Sequence, residues 1–325
     1  MKTSKKILAY ITLHERASGK ELSDHLTNIT PRAIRKQLKN LLEKKELKKT
    51  GRPPKVFYMR NSYLHSVQKT IFIPSKTFRV IENKYLFITP SGEIKQGWEG
   101  FSAWCEKTKQ DPIKTSKEYI STLRKYDAFS KNGLINGIKK LEKTFNKVFL
   151  DRLFYLDFYS IERFGKTKLG QMLLHAKQSQ DKKLIQSLVN EIRPKITWMA
   201  KKYSITGVLF IPPTLKREVQ FMKELEKGLK LPIKKISVVK IKTPVTVAQK
   251  TLSKLEDRVE NAQKTIIVDE EGIYKNILII DDAVGSGATL NETAKQIKKR
   301  GLCKGKITGL AITGSFKGFD VISEI

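Results

Sequence analysis

Acidic residues are what this chain is short of. Its 325 residues include 32 Asp plus Glu against 64 Lys plus Arg, a formal charge of +32. So large an excess favours polyanionic partners; a general lysine bias with a solvated basic surface is the alternative. Cysteine is scarce too. Cys105 and Cys303 are the two present, and neither has CxxC or Cys/His spacing, so no zinc site or disulfide framework is indicated. No apolar run approaches the roughly 18 residues of a membrane span. The basic, partly apolar start is broken at once by His14, Glu15 and Arg16, which argues against a secretory signal. A soluble, cytoplasmic protein without membrane contact is expected, and a length beyond the roughly 100–200 residues of one domain calls for two or three cores.

Two nucleotide motifs are also missing a part. Gly165-Lys166-Thr167 resembles the end of a phosphate loop, but Ser160 stands where GxxxxGK[ST] needs its first glycine. Gly285-Ser286-Gly287 lacks the third glycine of a dinucleotide fingerprint. Nucleotide hydrolysis and dinucleotide binding both lose their signature.

What is present begins with a readable unit over residues 1–62. Ile7, Leu8, Ile11 and Leu13 suit a first helix, Ser18-Gly19-Lys20-Glu21 breaks it, and Leu22, His25 and Leu26 belong to a second. Thr30-Pro31 then opens a third helix whose apolar face is Ile34, Leu38, Leu41 and Leu42, with Arg32, Arg35, Lys36 and Lys39 turned elsewhere. Glu46 to Tyr58 reads as two short strands around a basic, proline-stiffened tip that holds Arg52 and Lys55. Residues 1–60 hold 16 basic and 5 acidic side chains. This pattern resembles a winged helix-turn-helix, which implies DNA binding through the third helix and the wing; a module serving protein contacts is the other reading.

Residues 63–150 show no evident chemistry and read as a connector or a lineage-specific insertion. Phe78–Ile81 and Tyr85–Thr89 suggest a strand hairpin, and helical patterns run from Gly100 to Lys109, Ser116 to Tyr126 and Leu134 to Phe145. Trp98, Trp104 and Tyr119 suit a core better than base stacking.

From residue 151 onward a parallel-sheet α/β domain is expected. Aromatic-rich Asp151–Phe164 leads in, and the pattern from Lys201 alternates between strands and helices. Gly207–Ile211, Ile236–Ile241, Ile266–Val268 and Ile277–Ile280 read as strands, and Glu218–Gly228 and Leu290–Arg300 as helices. The last strand runs into Asp281 and Asp282 and then into Gly285-Ser286-Gly287-Ala288-Thr289, small residues that leave backbone N–H groups open to phosphate at a helix start. Carboxylates so close to a phosphate cradle would repel the phosphate, so their task is to accept hydrogen bonds from hydroxyls of the same ligand. A sugar phosphate has both groups.

ILIIDDAVGSGAT resembles the phosphoribosyl pyrophosphate (PRPP) motif of type I phosphoribosyltransferases. The resemblance implies that Asp281 and Asp282 hold the ribose hydroxyls and that Gly285, Ser286, Gly287, Ala288 and Thr289 hold the 5′-phosphate. Ala283 and Gly285 depart from the usual pattern, which asks for a larger aliphatic and a residue with a β-carbon. Gln249–Ser253, Arg258 and Asn261 ahead of that motif, with Lys168–Lys177 earlier, are similar to the ComF family of competence-associated proteins over about residues 150–325. That family's cysteine zinc ribbon is missing, and Lys216–Phe221 replaces its Arg-Gly-Phe-Asn-Gln stretch. Carried over, the resemblance implies a pyrophosphate loop at Pro213 and Thr214, catalytic cations at Lys216 and Arg217, a mobile basic segment with Lys250, Lys254 and Arg258, and Mg2+ arriving with PRPP. A ComF-like protein of DNA uptake or processing, or a PRPP-responsive winged-helix regulator of the purine repressor type, would both bind DNA and a ribose phosphate. A homodimer is compatible with either.

Overall fold

The computed structural model describes residues 3–44, 46–60, 73–215, 217–241, 244, 247 and 251–315. The chain divides into two compact units, Met1–Pro74 and Ser75–Ile325.

The first unit runs α1 (Thr3–His14), β1 (Arg16–Ser18), α2 (Gly19–His25), α3 (Pro31–Glu43), β2 (Leu47–Arg52) and β3 (Lys55–Arg60), its strands forming an antiparallel sheet in the order β1-β3-β2. Ser18 ends β1 and caps α2. Its hydroxyl accepts from the Glu21 N–H, and the Glu21 carboxylate accepts from the Ser18 N–H at 2.6 Å. The Thr30 hydroxyl accepts from the Ala33 N–H, and Pro31 occupies the first helical position of α3. Ile7, Ile11, Leu22, Ile34, Leu38, Leu41 and Leu47 make the core. Each stabilises by roughly 1.5–3 kcal/mol on leaving water, against the few tenths typical of an exposed charge pair. The core can therefore tolerate the cations crowded outside it.

The second unit runs α4 (Ser75–Lys84), β4 (Leu86–Ile88), β5 (Ile94–Gln96), α5 (Gly97–Lys107), α6 (Pro112–Asp127), β6 (Ser130–Lys131), β7 (Leu134–Asn136), α7 (Ile138–Thr144) and β8 (Arg152–Phe158). It continues through β9 (Ser160–Ile161), β10 (Gly165–Lys166), α8 (Lys168–Ser179), α9 (Lys182–Lys202), β11 (Gly207–Phe210), α10 (Phe221–Leu229), β12 (Lys234–Lys235) and β13 (Val238–Lys240). Its last elements are α11 (Leu255–Thr265), β14 (Ile266–Val268), β15 (Ile277–Val284), α12 (Ala288–Lys299) and β16 (Ile307–Gly314).

Among the described residues the main sheet has the order β12-β11-β15-β16-β8-β7-β6, parallel from β12 to β8 and antiparallel through the β7–β6 edge. The fold is mixed α/β. Both faces of β15 are covered, with Ile277 and Ile279 in one core cluster and Leu278 and Ile280 in the other, which is why four apolar residues follow one another. From β11 the chain moves out to β12, whereas from β15 it moves the opposite way to β16. Between β11 and β15 the winding reverses, and such a reversal opens a crevice beyond the strand ends.

Several expectations need correcting. The expected strand Ile236–Ile241 is split: Ile236 continues the β12 edge, its N–H donating to the Val208 carbonyl at 2.8 Å, whereas β13 and β14 stay out of the main sheet and pair with each other, Val239 opposite Ile267, as a separate antiparallel ribbon. The long buried strand beside β15 is β16, whose Thr308, Gly309 and Thr313 dilute its apolar signal. Phe78–Ile81 lies in α4, where a three-residue spacing puts Phe78 beside Trp98 and Ile81 in the core. Leu134–Phe145 is interrupted at Gly137 into β7 and α7. Tyr119 is buried, and Trp98 and Trp104 pack on the same aromatic cluster around Phe101.

Candidate functional site

β15 delivers Asp281 and Asp282 to the crevice mouth, and its last residue, Val284, passes directly into the glycine loop. Gly287 sits at φ +78, a left-handed conformation, and a Cβ there would stand 2.3 Å from Leu141 Cδ1. Glycine is required on both counts. From Gly287 the chain enters α12, with the buried Ser286 hydroxyl accepting from the Ala288 N–H at 3.3 Å. The loop thus presents a helix start next to two carboxylates.

A cavity of about 270 Å³ lies between this loop and the segment after β11. That is near the small end of the roughly 300–1,000 Å³ range of ligand pockets and suits a sugar phosphate better than a dinucleotide. Asp281, Asp282 and all of Gly285–Thr289 line it, facing Pro213, Thr214, Arg217 and Arg258. Lys177 from α8 and Lys240 from β13 line it too. The sequence reading missed both. Lys240 ends an apolar run on a half-buried strand, a weak but legible signal; Lys177 is brought to the acids by the tertiary fold.

The electrostatics follow from crowding. Burial, with the neighbouring Asp282 carboxylate, pushes the Asp281 carboxyl well above the usual range. Lys177 Nζ lies 2.6 Å from Asp282 Oδ2, and both side chains are largely shielded from solvent. Lys240 Nζ donates to Thr214 Oγ1 at 2.5 Å; burial lowers its pKa and the charge of Asp281 opposes that shift. Arg258 is buried, its Nε donating to the Leu252 carbonyl at 2.7 Å. Its Nη1 lies 3.4 Å from where a Cβ on Gly285 would stand, an ordinary contact distance that places the guanidinium beside the loop. Four cations and two acids share the cavity lining.

Other sequence-named residues lie differently. Arg217 lines the cavity while its guanidinium donates to the Lys177 carbonyl, tying the loop after β11 to α8. Lys254 is exposed at the start of α11, its carbonyl accepting from the Arg258 N–H. Lys216 and Lys250 are outside the described residues. In the first unit Arg32, Arg35, Lys36 and Lys39 are exposed on α3, and Arg52 and Lys55 face each other in register at the β2–β3 tip.

No protein-family model matches the chain, and no curated protein matches it. Among solved structures it is similar to a hypoxanthine phosphoribosyltransferase from Staphylococcus aureus, at 18% identity over 40% of this chain and 73% of that one, with a TM-score of 0.22. An overlap that slight carries nothing about activity, and the crevice stands on its own geometry.

Proposed function

We propose that the larger unit is a type I phosphoribosyltransferase-like domain of ComF type that binds PRPP or a ribose 5-phosphate, and that the smaller is a winged helix-turn-helix that binds DNA. The observation that carries this reading is the meeting of an acid pair, a left-handed glycine loop at a helix start and four cations in one crevice at the winding reversal of the sheet. Acids suit a cis-diol and the loop suits a phosphate. Magnesium is a separate matter, because among the described residues the cavity lining supplies two carboxylates and Lys177 already holds one of them. Among the described residues no three His, Cys, Asp or Glu side chains come together to hold an ion. Magnesium would enter on the pyrophosphate oxygens of PRPP, as part of the ligand.

The ComF resemblance adds to this reading a role in DNA uptake or processing. The second reading is a PRPP-responsive regulator without turnover, and Arg217 favours it. A cation tied to the Lys177 carbonyl is poorly placed to follow charge onto a departing pyrophosphate.

The direct test is thermal unfolding with and without PRPP, in the parent and in Asp281→Asn/Asp282→Asn. Ligand at a hundred times its dissociation constant should stabilise the parent by about 2.7 kcal/mol, and the variant hardly at all. Equal shifts in both proteins would refute the acid-pair role. Pyrophosphate release across a panel of bases and amines separates enzyme from regulator. For DNA, neutralising Arg32, Arg35 and Lys36 together should lower the salt slope by about 2.7, at roughly 0.9 per phosphate contact; an unchanged slope would remove the DNA claim.

A further inference from the structure

A ribose hydroxyl is both a donor and an acceptor. Asp281 and Asp282 can take its protons, but a carboxylate offers nothing to its oxygen lone pairs. A cation bearing N–H groups, or a metal ion, can do so while offsetting the charge of Asp282. Lys177 is where that cation would be. Its Nζ lies 2.6 Å from Asp282 Oδ2, and both residues line the crevice. An ammonium carries three donors, so it can hold a carboxylate and reach a hydroxyl oxygen together. The lysine is also held in place, since the Arg217 guanidinium bonds its carbonyl and fixes the end of α8 to the loop after β11. The pair is half-buried, where an ion pair is screened less than at an exposed surface.

Resting on the ribose phosphate reading above, we infer that Lys177 takes the place of a divalent cation at the diol-binding acids, so that ribose 5-phosphate binds this site without metal. Ribose 5-phosphate is the right probe because it lacks the pyrophosphate that would bring magnesium with it. A metal ion would have to displace the ammonium from Asp282 and would gain one carboxylate already crowded by its neighbour. Lysine therefore does with one side chain what a metal would do with several ligands.

The test is calorimetric titration of ribose 5-phosphate into the full chain, in EDTA and in millimolar magnesium. The parent should bind equally well in both. Lys177→Gln should lose affinity in EDTA by about tenfold or more, as expected for a lost charge-assisted contact, and should regain part of it with magnesium. Lys177→Arg, which keeps the charge, should stay metal-independent. Neither substitution touches the backbone carbonyl that Arg217 uses. A parent that needs magnesium would overturn the inference while leaving the ribose phosphate site intact. So would a Lys177→Gln chain that binds normally in EDTA, which would make Lys177 a packing residue. If neither ribose 5-phosphate nor PRPP binds the parent in either buffer, the reading of the site itself fails, and the inference with it.

Discussion

Two cavities of the larger unit begin alike and end differently. One lies past β11 and β15 and measures about 270 Å³; the other lies past β8, at the carboxyl end of the same sheet, and measures about 250 Å³. Each contains a carboxylate that burial has pushed up, Asp281 in the first and Asp157 in the second. In the second cavity the remaining charges are spent on each other: Lys84 bonds Asp127 at 2.6 Å and Lys168 bonds Glu191 at 2.9 Å. In the first, cations outnumber acids beside an open glycine loop. A lining that neutralises itself is a structural polar pocket, whereas one left with excess positive charge is ready for an anionic ligand.

Glycine substitutions should separate the cavities most sharply. Gly287→Ala forces a side chain into a left-handed conformation and against the buried Leu141. Strain of about 1–2 kcal/mol and overpacking of about 1–3 should together lower stability by roughly 2–5 kcal/mol, measured by denaturant unfolding. Stabilisation by PRPP should disappear as well. Gly133 lines the other cavity at φ +70, but an added Cβ there meets the end of the flexible Lys195 side chain, 2.8 Å away. Gly133→Ala should therefore cost only the backbone strain, about 1–2 kcal/mol, and leave ligand stabilisation unchanged. Equal losses in the two variants would erase the distinction.

The same two places show what the sequence makes legible. Asp281, Asp282 and the glycine loop are contiguous, so one strand-turn-helix pattern carries both the acids and the loop, and the structure brings all of them into one cavity. Thr30 and Pro31 likewise announce α3 by local chemistry. Lys177 and Asp157 were not legible, because what distinguishes them is which distant element they face, and Lys240 left only the weak signal of a cation at the end of an apolar run. Strand membership failed for the same reason. β13 and β14 have good local strand patterns, yet whether such a strand joins the sheet or pairs beside it depends on tertiary contacts. Ser18 with Glu21 is a different kind of omission, since the S-x-x-E capping signal was present in the sequence and marks the start of α2 to the residue.

A comparably small effect, and the one that tests the second cavity directly, is the pH dependence of Asp157. Burial raises its carboxyl from 3.8 to about 6, although it accepts the Phe158 N–H at 2.8 Å. A raised acid favours the folded state while protonated. Its contribution is therefore complete below the unfolded value near 3.8, falls as pH rises, and is lost above about 6. A shift of that size corresponds to on the order of 2 kcal/mol after allowing for partial solvent access. Asp157→Asn keeps an oxygen for the Phe158 N–H but never ionises. It should unfold several degrees above the parent at pH 8 and match it near pH 4, and it should keep the full PRPP shift. If the variant instead loses that shift, Asp157 belongs to the ligand site, and the two cavities act as one.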